Sequence, residues 1–182
     1  MDGWLKWTLP VAAAVASTAP VQAARYLSLE QAQRLAFPEA AAFREAHVIY
    51  RPEDVAAIER LSGVRVRSRG EQVWRAEAAD GRLVGFFVLD YVIGKHLAID
   101  YAVALSGDGR VRRVEVLEYR ESYGGEVAER GWLAQFEGRT LRDPLEVDRD
   151  IRNISGATLS SHHVAEGVRR VLAIYETRLR HG

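Results

Sequence analysis

Cysteine is absent from this sequence of 182 residues. Its absence excludes disulfide bridges, thiol catalysis, covalent haem attachment through a Cys-x-x-Cys-His motif, a lipoprotein anchor and cysteine-ligated iron–sulfur clusters. Lysine is also scarce and occurs only at Lys6 and Lys95. An excess of either charge is missing too, because 25 basic residues balance 25 acidic ones. The composition therefore gives no reason to expect a nucleic acid or another polyanion as partner.

The N-terminus lacks an uninterrupted apolar run of about 20 residues, the length that is needed to span a bilayer. Residues 1–24 instead show one positive charge at Lys6, a short apolar core from Thr8 to Ala19, and the small-residue sequence Val21-Gln22-Ala23. This pattern is typical of a secretory signal peptide with its cleavage site. We therefore expect an exported, periplasmic or otherwise extracytoplasmic protein. An uncleaved leader that acts as an anchor, and so a membrane-associated protein, is the alternative.

The length of the chain fits one domain, or one domain with a small extension. A capping box at Ser28 predicts a helix that ends before Pro38, and Pro52 and Gly63 bound a second helix. Alternating apolar residues and turn sequences predict five strands, at 46–50, 71–79, 83–92, 97–105 and 111–118. Tight turns join most of them, which favours an antiparallel sheet. The predicted fold class is α+β, an antiparallel sheet flanked by helices, with a long C-terminal helix.

The most informative stretch, Ser155-Gly156-Ala157-Thr158-Leu159-Ser160-Ser161, precedes the longest helical pattern of the chain. In that pattern apolar residues recur every three or four positions from Val164 to Leu179, which predicts one buried helix face. A helix start leaves backbone N–H groups unpaired and attracts anions such as phosphate. A serine or threonine before a helix is also an ordinary N-cap. From the residues alone, both interpretations are open.

The run Ser-Gly-Ala-Thr at 155–158 resembles the flavinylation signature of the FMN-binding domain family, found in FMN-carrying subunits of sodium-pumping quinone reductases and Rnf complexes. In that family the threonine that ends the run bonds the FMN phosphate as a phosphoester. The resemblance implies FMN as cofactor and Thr158 as its covalent attachment point. The neighbouring residues implied to bind the cofactor are Ser155, Gly156, Ala157, Leu159, Ser160 and Ser161.

A second region resembles the family's loop that borders the isoalloxazine ring. Glu121 and Gly124 match the glutamate and glycine of that loop, whereas Ser122 and Tyr123 replace its threonine and proline. Tyr123 becomes a candidate for stacking on the ring. Downstream, we interpret Trp132 and Phe136 as core residues.

Two further positions are cofactor candidates, and one position departs from the family pattern. Lys95 and His96 lie between two predicted strands, where a cation would favour an anionic reduced flavin, although an exposed hairpin tip is an equally good interpretation. Six residues before Thr158 the family usually has an aspartate. Here that position is Arg152, with Asp148 and Asp150 close by.

The resemblance implies three segments: a signal peptide at 1–24, an extension at 25–90 and an FMN-binding domain at 91–182. It implies an exported electron-transfer flavoprotein, a carrier or redox subunit rather than a stand-alone enzyme, with no catalytic residue of its own. A flavin transferase for maturation and a membrane redox partner are implied as well. We predict no metal site, since the adjacent His162 and His163 point in different directions. The alternatives are a non-redox envelope binding module on the same fold and a reductase that binds FMN reversibly.

Overall fold

The structure is a computed structural model and describes residues 24–181. The predicted signal peptide lies outside these residues, apart from Ala24. Six strands form one antiparallel sheet in the order β1-β6-β5-β4-β3-β2. The strands are β1 Ala24–Arg25, β2 Ala42–Ile49, β3 Gly70–Glu77, β4 Leu83–Ile93, β5 Ala98–Ser106 and β6 Val111–Tyr119. The helices are α1 Leu29–Ala36, α2 Pro52–Ser62, α3 Arg130–Leu133 and α4 Thr158–Ile174, followed by a wider helical turn at Tyr175–Leu179. The predicted α+β class is confirmed.

Local sequence signals set the ends of the first two helices. Ser28 and Gln31 form the predicted capping box at the start of α1. Helix α2 begins at Pro52 and ends at Gly63, whose φ of 69° is left-handed backbone that glycine adopts readily. Both predicted helices are confirmed.

The predicted strand at 46–50 is wrong at its start, because β2 begins four residues earlier at Ala42. Its first residues, at positions 42–45, include alanine and glutamate, which are depleted in strands. They are extended because they pair with β3, with Ala42 opposite Glu77. Strand β1 was not predicted either. Its two residues pair with the last residues of β6, Ala24 opposite Tyr119.

The sheet has a hydrophobic core on each face. The larger core lies between the sheet and α4, and the predicted apolar face of that helix is buried in it. Helix α2 packs against α4. A smaller core around Phe37, Trp74 and Phe87 lies under α1 on the opposite face. Trp132 and Phe136 are buried in the larger core as predicted, in edge-to-face contact with ring centroids 5.3 Å apart.

A buried polar network joins α4 to the middle of the sheet. The Asp90 carboxylate on β4 accepts hydrogen bonds from the Tyr101 hydroxyl at 2.5 Å and from the Arg170 guanidinium at 2.6 Å. Arg170 also donates to the carbonyl of Tyr91 at 3.2 Å. A buried ion pair costs desolvation and is tolerated when its remaining hydrogen bonds are made, as they are here. The network therefore sets the position of α4 on the sheet.

The predicted segment boundary between residues 90 and 91 falls inside β4, and strands from both sides of it lie in the same sheet. None of the helices within residues 24–181 combines the length and the apolar character that crossing a bilayer requires.

Candidate functional site

The first turn of α4 presents unpaired backbone donors. The N-cap is Ala157, and no side chain caps the helix, so the interpretation as a hydroxyl cap is wrong. Within residues 24–181 the N–H groups of Thr158, Leu159 and Ser160 donate to no protein acceptor, and the first bonded N–H of the helix is that of Ser161. Gly156, at φ 86°, leaves open space beside this turn. Three free N–H groups at the positive end of a 17-residue helix form a favourable site for a phosphate.

The hydroxyl groups around this turn differ in their surroundings. The Thr158 side chain is exposed, as is that of Ser155. Ser160 is buried, and its hydroxyl lies 3.5 Å from that of Tyr119. Ser161 is fully buried and donates to the carbonyl of Ala157 at 3.0 Å. On the α4 turn itself, Thr158 therefore offers the accessible hydroxyl.

The loop after β6 packs directly against the α4 turn. Gly124 has a φ of 88°, and a Cβ atom there would lie 2.9 Å from the Cβ of Ala157 and 2.8 Å from the Tyr119 hydroxyl. That hydroxyl donates to the carbonyl of Tyr123 at 2.5 Å. Burial raises the pKa of Tyr119, which keeps its proton available for this bond. The two predicted motifs, about 35 residues apart in sequence, are therefore in contact through Gly124 and Tyr119.

Glu121 binds the turn between β4 and β5. Its carboxylate accepts hydrogen bonds from the backbone N–H groups of His96 at 2.5 Å and Leu97 at 2.8 Å. Partial burial opposes its ionisation, but these backbone donors outweigh burial and lower the pKa of Glu121. Gly94 makes the approach possible, since a Cβ atom there would lie 2.9 Å from the carboxylate. Glu121 thus holds the segment that carries Lys95 and His96.

His163 holds the same turn from the other side. Its Nδ1 lies 2.5 Å from the carbonyl oxygen of Ile93 and 3.2 Å from that of Gly94. Because both partners are acceptors, Nδ1 carries the proton. The two adjacent histidines do point apart, and His162 lies in a separate groove beside Glu166 and Arg169.

The β4–β5 turn, the loop after β6 and the start of α4 together line a cavity of about 610 Å³. Pockets for small molecules and cofactors span about 300–1,000 Å³, so the size suits a flavin mononucleotide. Tyr123, 87% exposed, and Leu159, 50% exposed, present apolar surface at its rim. The lining residues are Lys95, His96, Glu121, Ser122, Tyr123, Gly156, Ala157, Thr158, Leu159 and Ser160.

All ten lining residues belong to the thirteen cofactor-binding candidates. The other three lie nearby: Ser155 is exposed before the turn, whereas Gly124 and Ser161 support the cavity from behind through Ala157. Sequence reasoning missed Tyr119 and His163. Tyr119 directly follows the predicted strand at 111–118, two residues before Glu121, and that position was the signal available.

The position that departs from the flavinylation signature is also ordered. Backbone and side-chain N–H groups of Arg152 donate to the Gln135 amide oxygen at 2.9 and 3.3 Å. The Trp132 indole donates to the Arg152 carbonyl at 2.7 Å. Asp150 accepts from the backbone of Leu145 and Glu146. Asp148 is exposed and bonds Asn153, so it is the more accessible of the two nearby carboxylates.

A second cavity of about 550 Å³ lies on the opposite face of the sheet, beside the start of α1. Leu27, Leu29, Leu89 and Leu117 supply its apolar lining. It contains none of the cofactor-binding candidates.

Comparisons with known proteins agree with this geometry. Residues 94–173 match the family model of the FMN-binding domain. The crystal structure of NqrC from Shewanella oneidensis has a similar fold, with a TM-score of 0.54 at 17% sequence identity, over 79% of this chain and 84% of that one. A comparison with curated protein sequences finds no match. The matched segment begins at Gly94 and runs through the loop after β6 into α4, so it includes every residue that lines the cavity. Residues 94–173 are therefore similar to the FMN-binding domain, and the match supports FMN as the cofactor.

Proposed function

We propose that this protein is an exported electron-transfer flavoprotein that carries FMN bonded through its phosphate to the Thr158 hydroxyl. The observation that carries the proposal is the first turn of α4, where three unpaired N–H groups and the exposed Thr158 hydroxyl lie at one edge of a flavin-sized cavity. The N–H groups stabilise the phosphate charge, and the hydroxyl lies where a phosphoester bond would form.

Residues of the other two segments have defined roles toward the isoalloxazine ring. Tyr123, at the rim, supplies an aromatic face for stacking. Lys95 places a positive charge at the cavity, which favours a negatively charged reduced flavin, and His96 lines the cavity beside it. The flavin itself supplies the redox chemistry, and the protein supplies position and electrostatics. We assign the chain no catalytic residue of its own.

Covalent attachment has a thermodynamic reason in an exported protein. A site with a micromolar dissociation constant stays largely empty where the concentration of free FMN is far below micromolar. A tether gives the cofactor an effective concentration on the order of millimolar. The helix dipole contributes only about 0.3–1 kcal/mol at the phosphate, too little to retain FMN by itself.

Attachment requires a partner enzyme with an activated flavin donor. Joining FMN and threonine directly would release water and is unfavourable, so the donor carries a diphosphate bond, as a flavin dinucleotide does. The Thr158 oxygen bonds to the flavin-side phosphorus, the diphosphate bond breaks, the mononucleotide leaves and the hydroxyl proton is released. The bound flavin would supply electron transfer between a membrane redox partner and an extracytoplasmic acceptor, with Thr158 as its anchor.

The test is intact-mass spectrometry of protein from a host that coexpresses a flavin transferase. Wild-type protein is expected to gain one FMN phosphoester, and Thr158→Ala to lack it. Ser155→Ala is the matched control, since its hydroxyl is exposed but does not line the cavity. An unchanged adduct on Thr158→Ala would show that the anchor is another residue.

The same samples separate the carrier from the two alternatives. Flavin that stays on the denatured chain supports the tethered carrier, and flavin that is released indicates a reversible FMN-binding reductase. A colourless protein in the presence of the transferase would indicate a non-redox binding module.

A further inference from the structure

Exposed apolar side chains concentrate at one end of the domain. This end, here called the cavity end, is where β2 and β4 stop, β3 and β5 start and α4 begins. Among residues 24–181, nine large apolar side chains are exposed, and only Leu35 and Leu61 lie on helices away from it. The seven at the cavity end are Tyr26, Ile49, Tyr91, Ile93, Leu97, Tyr123 and Leu159.

These seven residues extend well beyond the rim of the flavin cavity. Ile49 is 71% exposed and ends β2 at the far edge of the sheet, opposite Gly70. Tyr26 follows β1 at the other edge, and its hydroxyl lies beside Gly125. Only Tyr123 and Leu159 line the cavity. A surface that crosses the whole sheet end is larger than cofactor binding requires, and such surfaces mark interaction sites.

Cations without an ion pair lie at this end and in the segment that leads to it. Arg65, Arg67 and Arg69, in the segment that leads into β3, are exposed and form no ion pair within the described part of the chain. They alternate with half-buried residues, so all three side chains project from the same side of the segment. The Arg69 carbonyl accepts the Tyr50 N–H at 3.0 Å, which places it at the cavity end. Lys95 adds an exposed cation at the β4–β5 turn.

Some of the carboxylates at this end are paired with arginines. Asp100 and Glu118 pair with Arg120, and Glu118 also pairs with Arg25. Glu121 is bound by backbone N–H groups. Glu121 keeps its negative charge, and Glu30 and Glu126 are exposed and form no ion pair within residues 24–181. The cavity end therefore combines an apolar surface with three exposed, unpaired arginines in the segment that leads to it.

The chain also enters the described structure at the cavity end. Ala24 pairs with Tyr119, the last residue of β6. In the sequence just before it lies the apolar stretch from Thr8 to Ala19. If the leader is retained, it therefore joins the domain at this end.

We propose that the cavity end docks on an anionic lipid bilayer. Tyrosine and aliphatic side chains suit the boundary between water and lipid, and arginines near an anionic surface each strengthen binding by about fivefold. Docking would bring the mouth of the flavin cavity to the membrane, although it does not depend on bound flavin. The proposal therefore stands or falls separately from the function proposed above.

The absence of native cysteine allows a site-specific test on the full chain. Single variants Tyr91→Cys and Ile49→Cys, outside the flavin cavity, are labelled with an environment-sensitive fluorophore. Leu35→Cys and Leu61→Cys serve as controls, because they are exposed to a similar degree away from the cavity end. Vesicles of phosphatidylcholine alone are compared with vesicles that also contain phosphatidylglycerol.

With phosphatidylglycerol vesicles, we expect a blue shift of the labels at positions 49 and 91 and none at 35 and 61. The shift should weaken at high salt. Replacing Arg65, Arg67 and Arg69 with glutamine in the labelled Tyr91→Cys chain should raise the lipid concentration needed for half the shift, on the order of 100-fold for three arginines. A leader inserted alone would tether the chain to the vesicle without shifting the labels.

Three outcomes would overturn the proposal. If the labels at positions 49 and 91 both fail to shift, this surface does not bind lipid, and a protein becomes the expected partner. An equal shift at the control positions would indicate non-specific adsorption. An equal response to phosphatidylcholine alone would exclude recognition of anionic lipid.

Discussion

At the scale of single residues, Gly124 has two separate reasons to be glycine. Its φ of 88° is a conformation that other residues adopt at a cost of about 1–2 kcal/mol. In addition, it lies against Ala157 and Tyr119 with no room for a Cβ atom. The first reason is local, and the second exists because the loop after β6 rests on the start of α4.

Replacement by alanine distinguishes these reasons. We expect Gly81→Ala to lower the free energy of unfolding by about 1 kcal/mol, since Gly81 has a φ of 80° but open space around its Cβ position. Gly124→Ala should cost about 1–3 kcal/mol more, because the loop must move away from α4. It should also lower the fraction of chains that carry flavin. The measurements are urea denaturation and flavin absorbance, and equal losses in both variants would contradict the packing argument.

Glu121 shows how a motif residue can serve a site indirectly. Its carboxylate is bound to the backbone of His96 and Leu97, and so it positions the Lys95–His96 turn. The sequence showed that Glu121 belongs to the site, but it could not show this role. The partners lie about 25 residues upstream and are backbone groups, which no side-chain pattern reveals.

At the scale of elements, α4 packs so closely against the sheet that only glycine fits at position 167. A Cβ atom on Gly167 would lie 2.1 Å from the Tyr101 hydroxyl, which is the group that bonds Asp90. Glycine inside a helix costs about 1 kcal/mol relative to alanine. Here that cost allows the tyrosine to cross under the helix and reach the carboxylate.

A double-mutant cycle tests this contact. Gly167→Ala is expected to destabilise the protein by about 1–3 kcal/mol despite its better helix propensity. Tyr101→Phe should cost about 1–2 kcal/mol through the lost hydrogen bond. Together they should cost at least about 0.5 kcal/mol less than the sum, because the phenylalanine ring leaves more room. The control is Gly131→Ala on α3, where nothing lies within 4 Å, and strict additivity would refute the contact.

At the scale of the whole molecule, Glu71, a half-buried carboxylate near Asp90, makes stability depend on pH. Burial, together with the nearby Asp90 charge, raises the pKa of Glu71 to about 7, from 4.5 when it is free. The folded protein therefore holds this proton more tightly than the unfolded chain does. The contribution of Glu71 is most favourable below pH 4.5, falls as the pH rises to about 7, and is constant above that.

We therefore expect the wild-type protein to lose stability between pH 5 and 8 relative to Glu71→Gln, by on the order of 2 kcal/mol. Glutamine keeps the size of the side chain and cannot ionise, so its unfolding free energy should vary less over this range. Urea denaturation at several pH values measures the difference. A pH profile shared by both proteins would mean that Glu71 titrates normally in the fold.

The sequence by itself determined the elements whose signals are local. The capping box at Ser28, the α2 boundaries at Pro52 and Gly63, and the apolar face of α4 all follow from residues within one or two helical turns. The resemblance to the FMN-binding family was likewise visible in the sequence, because the Ser-Gly-Ala-Thr run is a contiguous motif. The start of β2 was not predictable in this way, since Ala42 is extended only through its pairing with Glu77.

Only the tertiary structure decided how these parts form a site. It brought the Lys95–His96 turn, the loop after β6 and the start of α4 around one cavity, through Glu121, Tyr119 and Gly124. It also left Thr158 exposed while burying Ser160 and Ser161, although all three are hydroxyl residues within four positions. The physical reason is that accessibility depends on which side of α4 faces the sheet, and segments distant in sequence set that orientation through Asp90 and Arg170.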